Sequence, residues 1–370
     1  MLSHDPELEL LLEAAELRYI NPDMAGYTRK RRGKSFTYLD SRGNPIKEAK
    51  LKEWIDSLRI PPAWEDVWIC PKRNGHLLAT GRDSSGRKQY IYHPRWNQLA
   101  NEKKFESLVS FGESLPALRE TVEAHLRKPD LTREKVLALL VTLLERTMIR
   151  IGNSEYARGN DSYGLTTLQD DHVSVSGSKI TFEFVGKSGK EHAITLADKR
   201  LAKLVKSCQD IPGQHLFQYN DQEKGTRHAL GSYDVNAYLY SITDKPFTAK
   251  TFRTWGGSVL MADLLRGMPP ADTKKAKEAQ VRDAMKQVAE RLGNTVAVCR
   301  KYYVHPAVVQ AHMDDALRDF YDPTYEAETR FSLRPDEHML MQFLRAATIT
   351  GQAEAAEGSR SGENQGDVRA

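Results

Sequence analysis

Basic and aromatic side chains are interleaved along the first quarter of the chain, and both types can contact a polyanion. Between residues 18 and 95 there are 17 lysines and arginines against 8 acidic residues, with the densest run at residues 29–32 and Lys34 just after it. Cations neutralise phosphates and release counterions, whereas planar rings reach bases or sugars. The pattern favours nucleic-acid binding over an ordinary solvated basic surface. The interleaved rings are Tyr19, Tyr27, Phe36, Tyr38, Tyr90 and Tyr92.

Motifs for nucleotide-dependent or metal-dependent catalysis are missing from the sequence. There is no G-x-x-x-x-G-K-[ST] loop, no H-E-x-x-H, no cysteine–histidine cluster and no clear set of carboxylates for paired magnesium ions. We therefore expect no cofactor and no metal centre. Under those conditions, cutting a phosphodiester requires a side-chain nucleophile, cations that stabilise the phosphorane, and an acid for the leaving oxygen.

Composition argues against several other classes of protein. The chain has 370 residues, of which 40% are hydrophobic and 28% charged, as in a globular protein with room for two domains. No apolar run approaches the roughly 18 residues that cross a bilayer. The N-terminus is acidic and amphipathic, unlike a signal peptide. Three separated cysteines indicate neither a disulfide framework nor a zinc site, and we expect a cytoplasmic protein.

The elements that must position such chemistry change in type along the chain. Up to about residue 100, short apolar runs alternate with turn signals, which predicts a small antiparallel sheet with one helix over residues 47–58. From about residue 104 the apolar residues have helical spacing. The turn signals lie at residues 40–45, 73–75 and 84–86.

Helices are predicted through most of the remaining chain. Thr132 is the predicted N-cap of a helix that runs through Arg150. The last twenty residues, rich in Gly, Ala, Ser and Glu, are predicted to be disordered. Further helices are predicted over residues 195–209, 231–243, 248–266 and 273–292.

One island of alternating residues interrupts the helices. Apolar residues alternate around 173–175, 180–184 and 193–195, with glycine-containing turns between them. This pattern predicts three antiparallel strands. Lys187 then stands at the tip of the second hairpin.

Five short motifs stand in a distinctive order between residues 149 and 306. They read IRIGN at 149–153, GKSGK at 186–190, KTFRTW at 250–255, LGN at 292–294 and KYYVHP at 301–306. The separations are 37 residues from Arg150 to Lys187, 66 to Arg253, 41 to Asn294 and 9 to Tyr303. In order and spacing the motifs resemble the poxvirus and bacterial type IB DNA topoisomerases. IPPAW at 60–64 and QYIY at 89–92 are similar to that family's cap domain, so the resemblance covers roughly residues 18–325.

The resemblance implies a role for each of five residues. Tyr303 is the nucleophile, selected by its nine-residue separation from Asn294, with Tyr302 as the alternative. Arg150 and Arg253 clamp the nonbridging oxygens of the scissile phosphate, for which planar guanidiniums are suited. Lys187, on a hairpin slim enough for the minor groove, is the general acid that protonates the leaving 5′ oxygen.

Asn294 departs from the pattern of many family members, which have histidine there. An asparagine amide can still donate a hydrogen bond to a nonbridging oxygen, but it cannot transfer a proton. Alternatively, Asn294 only caps the helix that follows it.

Five further residues resemble the family's DNA contacts. Such contacts position the duplex, and a side chain in the major groove can add modest sequence preference. The residues are Gln89, Tyr90, Tyr92, Tyr156 and Lys250.

The resemblance implies an α+β protein. Residues 1–100 would form a β-rich cap domain that clamps DNA. A mostly helical catalytic domain with a three-stranded antiparallel sheet follows over residues 101–345, and a disordered tail over residues 346–370. The implied function is relaxation of supercoiled DNA without ATP or metal, through a 3′-phosphotyrosyl intermediate. We expect a nucleoid-associated monomer that clamps duplex DNA, with no membrane or nucleotide partner.

Two other functions remain open at this point. A tyrosine recombinase shares the Arg-Lys-Arg-Tyr chemistry, but it usually has H-x-x-R where this chain has Lys250 and Arg253, and its N-terminal domain is helical. A non-catalytic DNA-binding protein would explain the basic, aromatic N-terminal part equally well.

Overall fold

The computed structural model describes residues 12–348, except Lys34, Glu155, Tyr156, Arg158, Asn160 and residues 222–224. The chain divides into two compact units, with the boundary between Phe105 and Glu106. None of the described helices is long and apolar enough to cross a membrane.

A five-stranded antiparallel sheet forms the first unit, as predicted, with the strand order β2-β1-β3-β4-β5. Two of the predicted turns, at residues 40–45 and 84–86, have the same hydrogen-bond pattern. The carboxylates of Asp40 and Asp83 each accept hydrogen bonds from the backbone amides two and four residues later. Gly43 and Gly86 take the positive φ that these turns need. The elements are β1 (Tyr27–Arg32), β2 (Ser35–Leu39), α1 (Ala49–Ser57), β3 (Glu65–Ile69), β4 (Leu77–Arg82) and β5 (Lys88–Tyr92).

The basic run on β1 is partly structural. The guanidinium of Arg29 lies 4.2 Å from the centroid of the Phe36 ring. It also donates hydrogen bonds to the carbonyls of Ile60, Pro61 and Trp64, at 2.8–3.0 Å. Arg29 therefore ties β1 to the segment between α1 and β3, and its charge is already engaged by carbonyl oxygens.

The second unit is mostly helical, as predicted. Thr132 caps α3 by accepting a hydrogen bond from the amide of Lys135, but the helix ends at Thr147 and not at Arg150 as predicted, because Met148 adopts a left-handed conformation with φ of 56°. Its helices are α2 (Pro94–Leu126, which begins in the first unit), α3 (Arg133–Thr147), α4 (Lys199–Gln209), α5 (Ser232–Thr243), α6 (Ala249–Gly267), α7 (Lys274–Leu292), α8 (Val296–Tyr302) and α9 (Pro306–Met313).

The predicted three-stranded sheet is present as β6 (Val173–Ser176), β7 (Lys179–Gly186) and β8 (Lys190–Ala197), all antiparallel. A tight turn over Lys187–Gly189 joins the last two strands, and Ser188 and Gly189 both have positive φ. The helix predicted from residue 195 starts only at Lys199. Residues 195–197 pair with β7 instead, and Asp198 caps the helix. A short hairpin of β9 (Gln218–Asp221) and β10 (Thr226–Ala229) lies further along the chain.

A buried ion network fastens the last described helix, α10 (residues 335–348), to the helical core. The Glu337 carboxylate is only 1% exposed, and it accepts hydrogen bonds from Arg119 at 2.8 Å and from the indole of Trp255 at 3.1 Å. Arg119 also pairs with Glu145 on α3. α10 extends three residues into the tail predicted to be disordered, and the rest of that tail lies outside the described residues.

We expect Glu337→Ala to lower the free energy of unfolding of the second unit by about 3 kcal/mol, because it removes one partner from a buried ion network. Urea unfolding followed by circular dichroism measures the change. Asp336→Ala is the matched control, since its side chain is 33% exposed and pairs with Arg334 at 3.5 Å. That control should cost less than about 1 kcal/mol. Equal losses in the two variants would contradict the prediction.

Candidate active site

Arg253 lies in the interior of the second unit, on the second turn of α6. Its side chain is 3% exposed. One guanidinium nitrogen donates to the carbonyl of Met148 and the other to that of Leu292, the latter at 2.7 Å. Both carbonyls belong to helix C-termini, those of α3 and α7, where the backbone dipoles place partial negative charge. Helix ends therefore stabilise this buried cation.

Arg150, in the loop after α3, contacts the C-terminal end of α7. Its Nη2 donates to the carbonyl of Gly293 at 3.1 Å and to the side-chain oxygen of Asn294. The loop is fixed, because the carbonyl of Arg150 accepts from the amide of Leu165 at 2.8 Å. A Cβ atom at Gly164 would come within 2.6 Å of that carbonyl oxygen, so only glycine allows this close approach.

The two guanidiniums remain without a carboxylate partner among the described residues. Burial lowers the pKa of both arginines, and repulsion from Arg150 lowers that of Arg253 further. Tyr303 acts in the opposite direction on both pKa values. Arginines stay protonated in proteins, so this cluster is a concentrated positive charge suited to a phosphate.

Tyr303 stands at the C-terminal end of α8, with its ring next to Arg253. The Cζ atom of Arg253 lies 5.1 Å from the ring centroid. Two contacts fix the backbone of Tyr303. Its amide donates to the carbonyl of Cys299 at 2.9 Å, and its carbonyl oxygen would lie 2.6 Å from a Cβ atom at Gly257 of α6. The phenol is thus held beside the buried cation by two helices.

Tyr302 faces different cations. Its ring centroid lies 5.7 Å from the Nζ of Lys250 and 5.1 Å from that of Lys301. The two neighbouring tyrosines therefore lie beside different cations, Tyr302 beside two lysines and Tyr303 beside Arg253. Lys250 lies near the cluster, one helical turn before Arg253 on α6.

Asn294 does not cap the next helix. Thr295 is the N-cap of α8, since its side chain accepts a hydrogen bond from the amide of Val298. The side-chain oxygen of Asn294 instead accepts from Arg150. Its Nδ2 and the Nε of Arg253 are buried and have no hydrogen-bond partner among the described residues. Both N–H groups can therefore turn to the oxygen of a phosphate bound in the cluster.

Lys187 lies at the tip of its hairpin. Near that tip, His192 of β8 reaches the end of α7 beside the cluster, a contact that sequence reasoning missed. The His192 ring stacks on Phe184, with centroids 4.9 Å apart. Ring atoms of His192 would lie 2.7 Å from a Cβ atom at Gly186 and 2.2 Å from one at Gly293. Only the alternation of β8 hinted at this residue, by placing it on an inward-facing position.

The first unit carries the other predicted contacts. Tyr90 and Tyr92 share one exposed face of β5 and stack at 6.0 Å, with the Nζ of Lys88 5.9 Å from the Tyr90 ring. The row continues with His76, whose ring centroid lies 6.2 Å from that of Tyr92. The ring of Tyr19 stacks on His76 with centroids 5.0 Å apart.

Gln89 lies on the opposite face of β5. Its amide donates to the carboxylate of Asp83 at 2.9 Å. Among the three predicted contacts on β5, the structure therefore groups the two tyrosines and separates the glutamine. Tyr156 lies outside the described residues.

The cluster in the second unit can perform one kind of chemistry well. Two fixed guanidiniums and an amide donor can hold the oxygens of a phosphate, and a phenol next to them can attack its phosphorus. This arrangement is typical of a phosphate transesterification site with a tyrosine nucleophile.

Comparison with known proteins agrees with this class. The family model described as eukaryotic DNA topoisomerase I, catalytic core, matches residues 93–327. A second model, described as bacterial DNA topoisomerase IB, N-terminal domain, matches residues 35–83. The chain therefore belongs to the eukaryotic-type DNA topoisomerase I family, the type IB topoisomerases.

Individual relatives of the chain are DNA topoisomerases 1B. DNA topoisomerase 1B of Acanthamoeba polyphaga mimivirus is 33% identical over 288 residues, which cover 76% of this chain and 85% of the relative. DNA topoisomerase 1B of Vaccinia virus (strain Copenhagen) is 22% identical over 289 residues, 76% of this chain and 88% of the relative. The predicted family, fold class and enzyme class are confirmed, and the recombinase alternative is not favoured.

The titration of His192 gives a testable pH dependence. Burial, then Arg150, Lys190 and Arg253, lower the pKa of His192 from 6.5 to about 4. Below pH 6.5 the unfolded chain takes up a proton here that the folded chain resists, so the stability contributed by the neutral ring is present above pH 6.5 and is lost toward pH 4. His192→Gln removes this titration.

We therefore expect the free energy of unfolding of the wild type to fall by about 1 kcal/mol relative to His192→Gln between pH 7.5 and 5.0, a value reduced because the ring is only half-buried. Urea unfolding of both proteins at the two pH values measures it. An unchanged difference between the two proteins would contradict the lowered pKa.

Proposed function

We propose that Tyr303 attacks a backbone phosphate of duplex DNA and becomes joined to the 3′ side of the break. The phenolic oxygen forms a bond to phosphorus, the bond from phosphorus to the 5′ oxygen breaks, and the phenolic proton passes to solvent. The observation that carries this assignment is the 5.1 Å separation between the Arg253 guanidinium and the Tyr303 ring. A cation at that position favours the developing phenolate.

Arg150, Arg253 and Asn294 stabilise the phosphorane. The arginines bind the nonbridging oxygens, and the Nδ2 of Asn294, which has no partner among the described residues, adds a neutral hydrogen bond. Removing one such donor costs on the order of 10²–10³ in rate in comparable sites. Asn294 cannot exchange a proton, so the general acid must be another residue.

Lys187 is that general acid. It protonates the 5′ oxygen as the strand leaves, and it accepts the proton back when the 5′ hydroxyl attacks the phosphotyrosine. The phosphodiester energy is conserved in the covalent bond, and a phenolate is a far better leaving group than an alkoxide. Rotation of the free strand before religation relaxes supercoils without ATP.

The two units divide the work. Residues 1–100 form the cap that clamps DNA, with Tyr90 and Tyr92 as an exposed aromatic row and Gln89 as a further contact. Residues 101–345 form the catalytic domain, in which Lys250 and Tyr156 contact DNA near the break. The protein acts as a monomer on duplex DNA, needs no nucleotide, and is associated with the nucleoid.

We expect Tyr303→Phe to bind duplex DNA with unchanged affinity and to relax no supercoiled plasmid, because it lacks the attacking oxygen. Tyr302→Phe is the matched control and should retain more than about a tenth of wild-type activity, since its hydroxyl is not the nucleophile. Gel relaxation and electrophoretic mobility shift measure the two properties. Relaxation by Tyr303→Phe, or its loss in Tyr302→Phe, would reject the assignment of the nucleophile.

We also expect full plasmid relaxation in EDTA without ATP. Stopping the reaction with detergent should trap protein attached to a 3′ phosphate, and the attached peptide should contain Tyr303. A requirement for ATP, or protein linked to a 5′ phosphate, would exclude the proposed reaction.

A further inference from the structure

His192 joins two parts of the site that are distant in sequence. It lies on β8, where it pairs with Phe184 of β7, three residues after the turn that carries Lys187. Its ring also meets Gly293, at the end of α7 and directly before Asn294. The imidazole therefore lies between Gly186, directly before Lys187, and the turn that holds Asn294.

Two glycines let this ring approach the backbone closely on two sides. A Cβ atom at Gly186 would come within 2.7 Å of the Cδ2 and Nε2 atoms of His192, and one at Gly293 within 2.2 Å of its Cε1. Both approaches are closer than real carbon contacts, so each neighbour must be glycine for the ring to fit. Stacking on Phe184, at 4.9 Å and 14°, fixes the third side.

The turn that His192 touches is the same one that holds Arg150. The carbonyl of Gly293 and the side chain of Asn294 both accept from the Arg150 guanidinium. The ring itself is neutral at physiological pH, because burial and the neighbouring cations hold its pKa at about 4. It can therefore fill this gap without adding a further positive charge to the cluster.

We propose that His192 is a positioning residue, which sets the place of the Lys187 hairpin relative to Asn294 and Arg150. The proposal rests on the proposed role of Lys187 as the general acid. A lysine in the turn of a two-stranded hairpin depends for its position on the contacts of the strand residues next to that turn, and His192 is one of these residues. Displacement of a reacting group by about 1 Å can cost on the order of 10²-fold in rate.

The test compares two leaving groups in single-turnover cleavage of a duplex with a mapped cleavage site. One substrate has the ordinary 5′ oxygen, and the other has sulfur in that bridging position. Attack by Tyr303 then breaks the phosphorus–sulfur bond and releases a thiolate, which needs no proton because thiols have a pKa of about 8.5. We expect His192→Ala to cleave the oxygen substrate about 10–100-fold more slowly than wild type, and the sulfur substrate at nearly the wild-type rate.

Two variants separate positioning from general loss of packing. Ile194→Ala removes an apolar side chain from the same face of β8, two residues further from the turn, and should cleave both substrates at the wild-type rate. His192→Gln keeps a neutral side chain of similar reach and should recover at least part of the lost rate on the oxygen substrate. Thermal unfolding and DNA binding of each variant are measured in parallel.

Lys187→Ala is the reference that separates this proposal from the proposed function. If Lys187→Ala is equally slow on both substrates, Lys187 is not the general acid and both ideas fail. If the sulfur substrate restores cleavage by Lys187→Ala but not by His192→Ala, only the positioning role of His192 is overturned. Wild-type cleavage of both substrates by His192→Ala overturns it as well.

Discussion

Two guanidiniums are held inside the second unit by carbonyl groups at helix ends, and the rest of the site depends on this arrangement. Arg253 donates to the carbonyls of Met148 and Leu292, and Arg150 donates to that of Gly293. Helix C-termini carry only partial negative charge, so they stabilise the cations without neutralising them. A carboxylate in the same place would have formed an ion pair and left less positive charge for a phosphate.

This constraint explains how the helices end. α3 and α7 both finish in a left-handed residue, Met148 and Gly293, so each helix exposes carbonyls toward Arg253 while the chain turns away. The turns that follow carry Arg150 and Asn294. The ends of α3 and α7 thus supply the carbonyl acceptors for Arg253, and the residues directly after them include Arg150 and Asn294.

Close approach of backbones decides where the remaining groups stand. Gly257 lets α6 approach the carbonyl of Tyr303, and Gly186 and Gly293 admit the ring of His192. The glycines let Tyr303 and the Lys187 hairpin approach the cationic cluster through different elements. In the first unit, Arg29 has a structural part, because its guanidinium donates hydrogen bonds to three backbone carbonyls that join β1 to the segment before β3.

The order of elements is predictable from the amino-acid sequence, because it follows from local spacing. The family was indicated by the resemblance of five motifs and their separations, and the family model confirms it. The strands around Lys187, the sheet of the first unit and the cap at Thr132 were all readable from short patterns. The ends of helices were harder to predict from the sequence. The left-handed conformation of Met148 ends α3 before Arg150, and pairing with β7 keeps residues 195–197 in a strand.

The partner that each side chain meets depends on contacts between distant parts of the chain. The hydrogen bond from Arg253 to Met148 spans 105 residues, and that from Arg150 to Gly293 spans 143. The choice of Tyr303 as the ring beside Arg253, the orientation of Asn294 toward Arg150, and the place of His192 all depend on such contacts. Local periodicity reports which face of an element is buried, but it carries no information on which distant group that face meets.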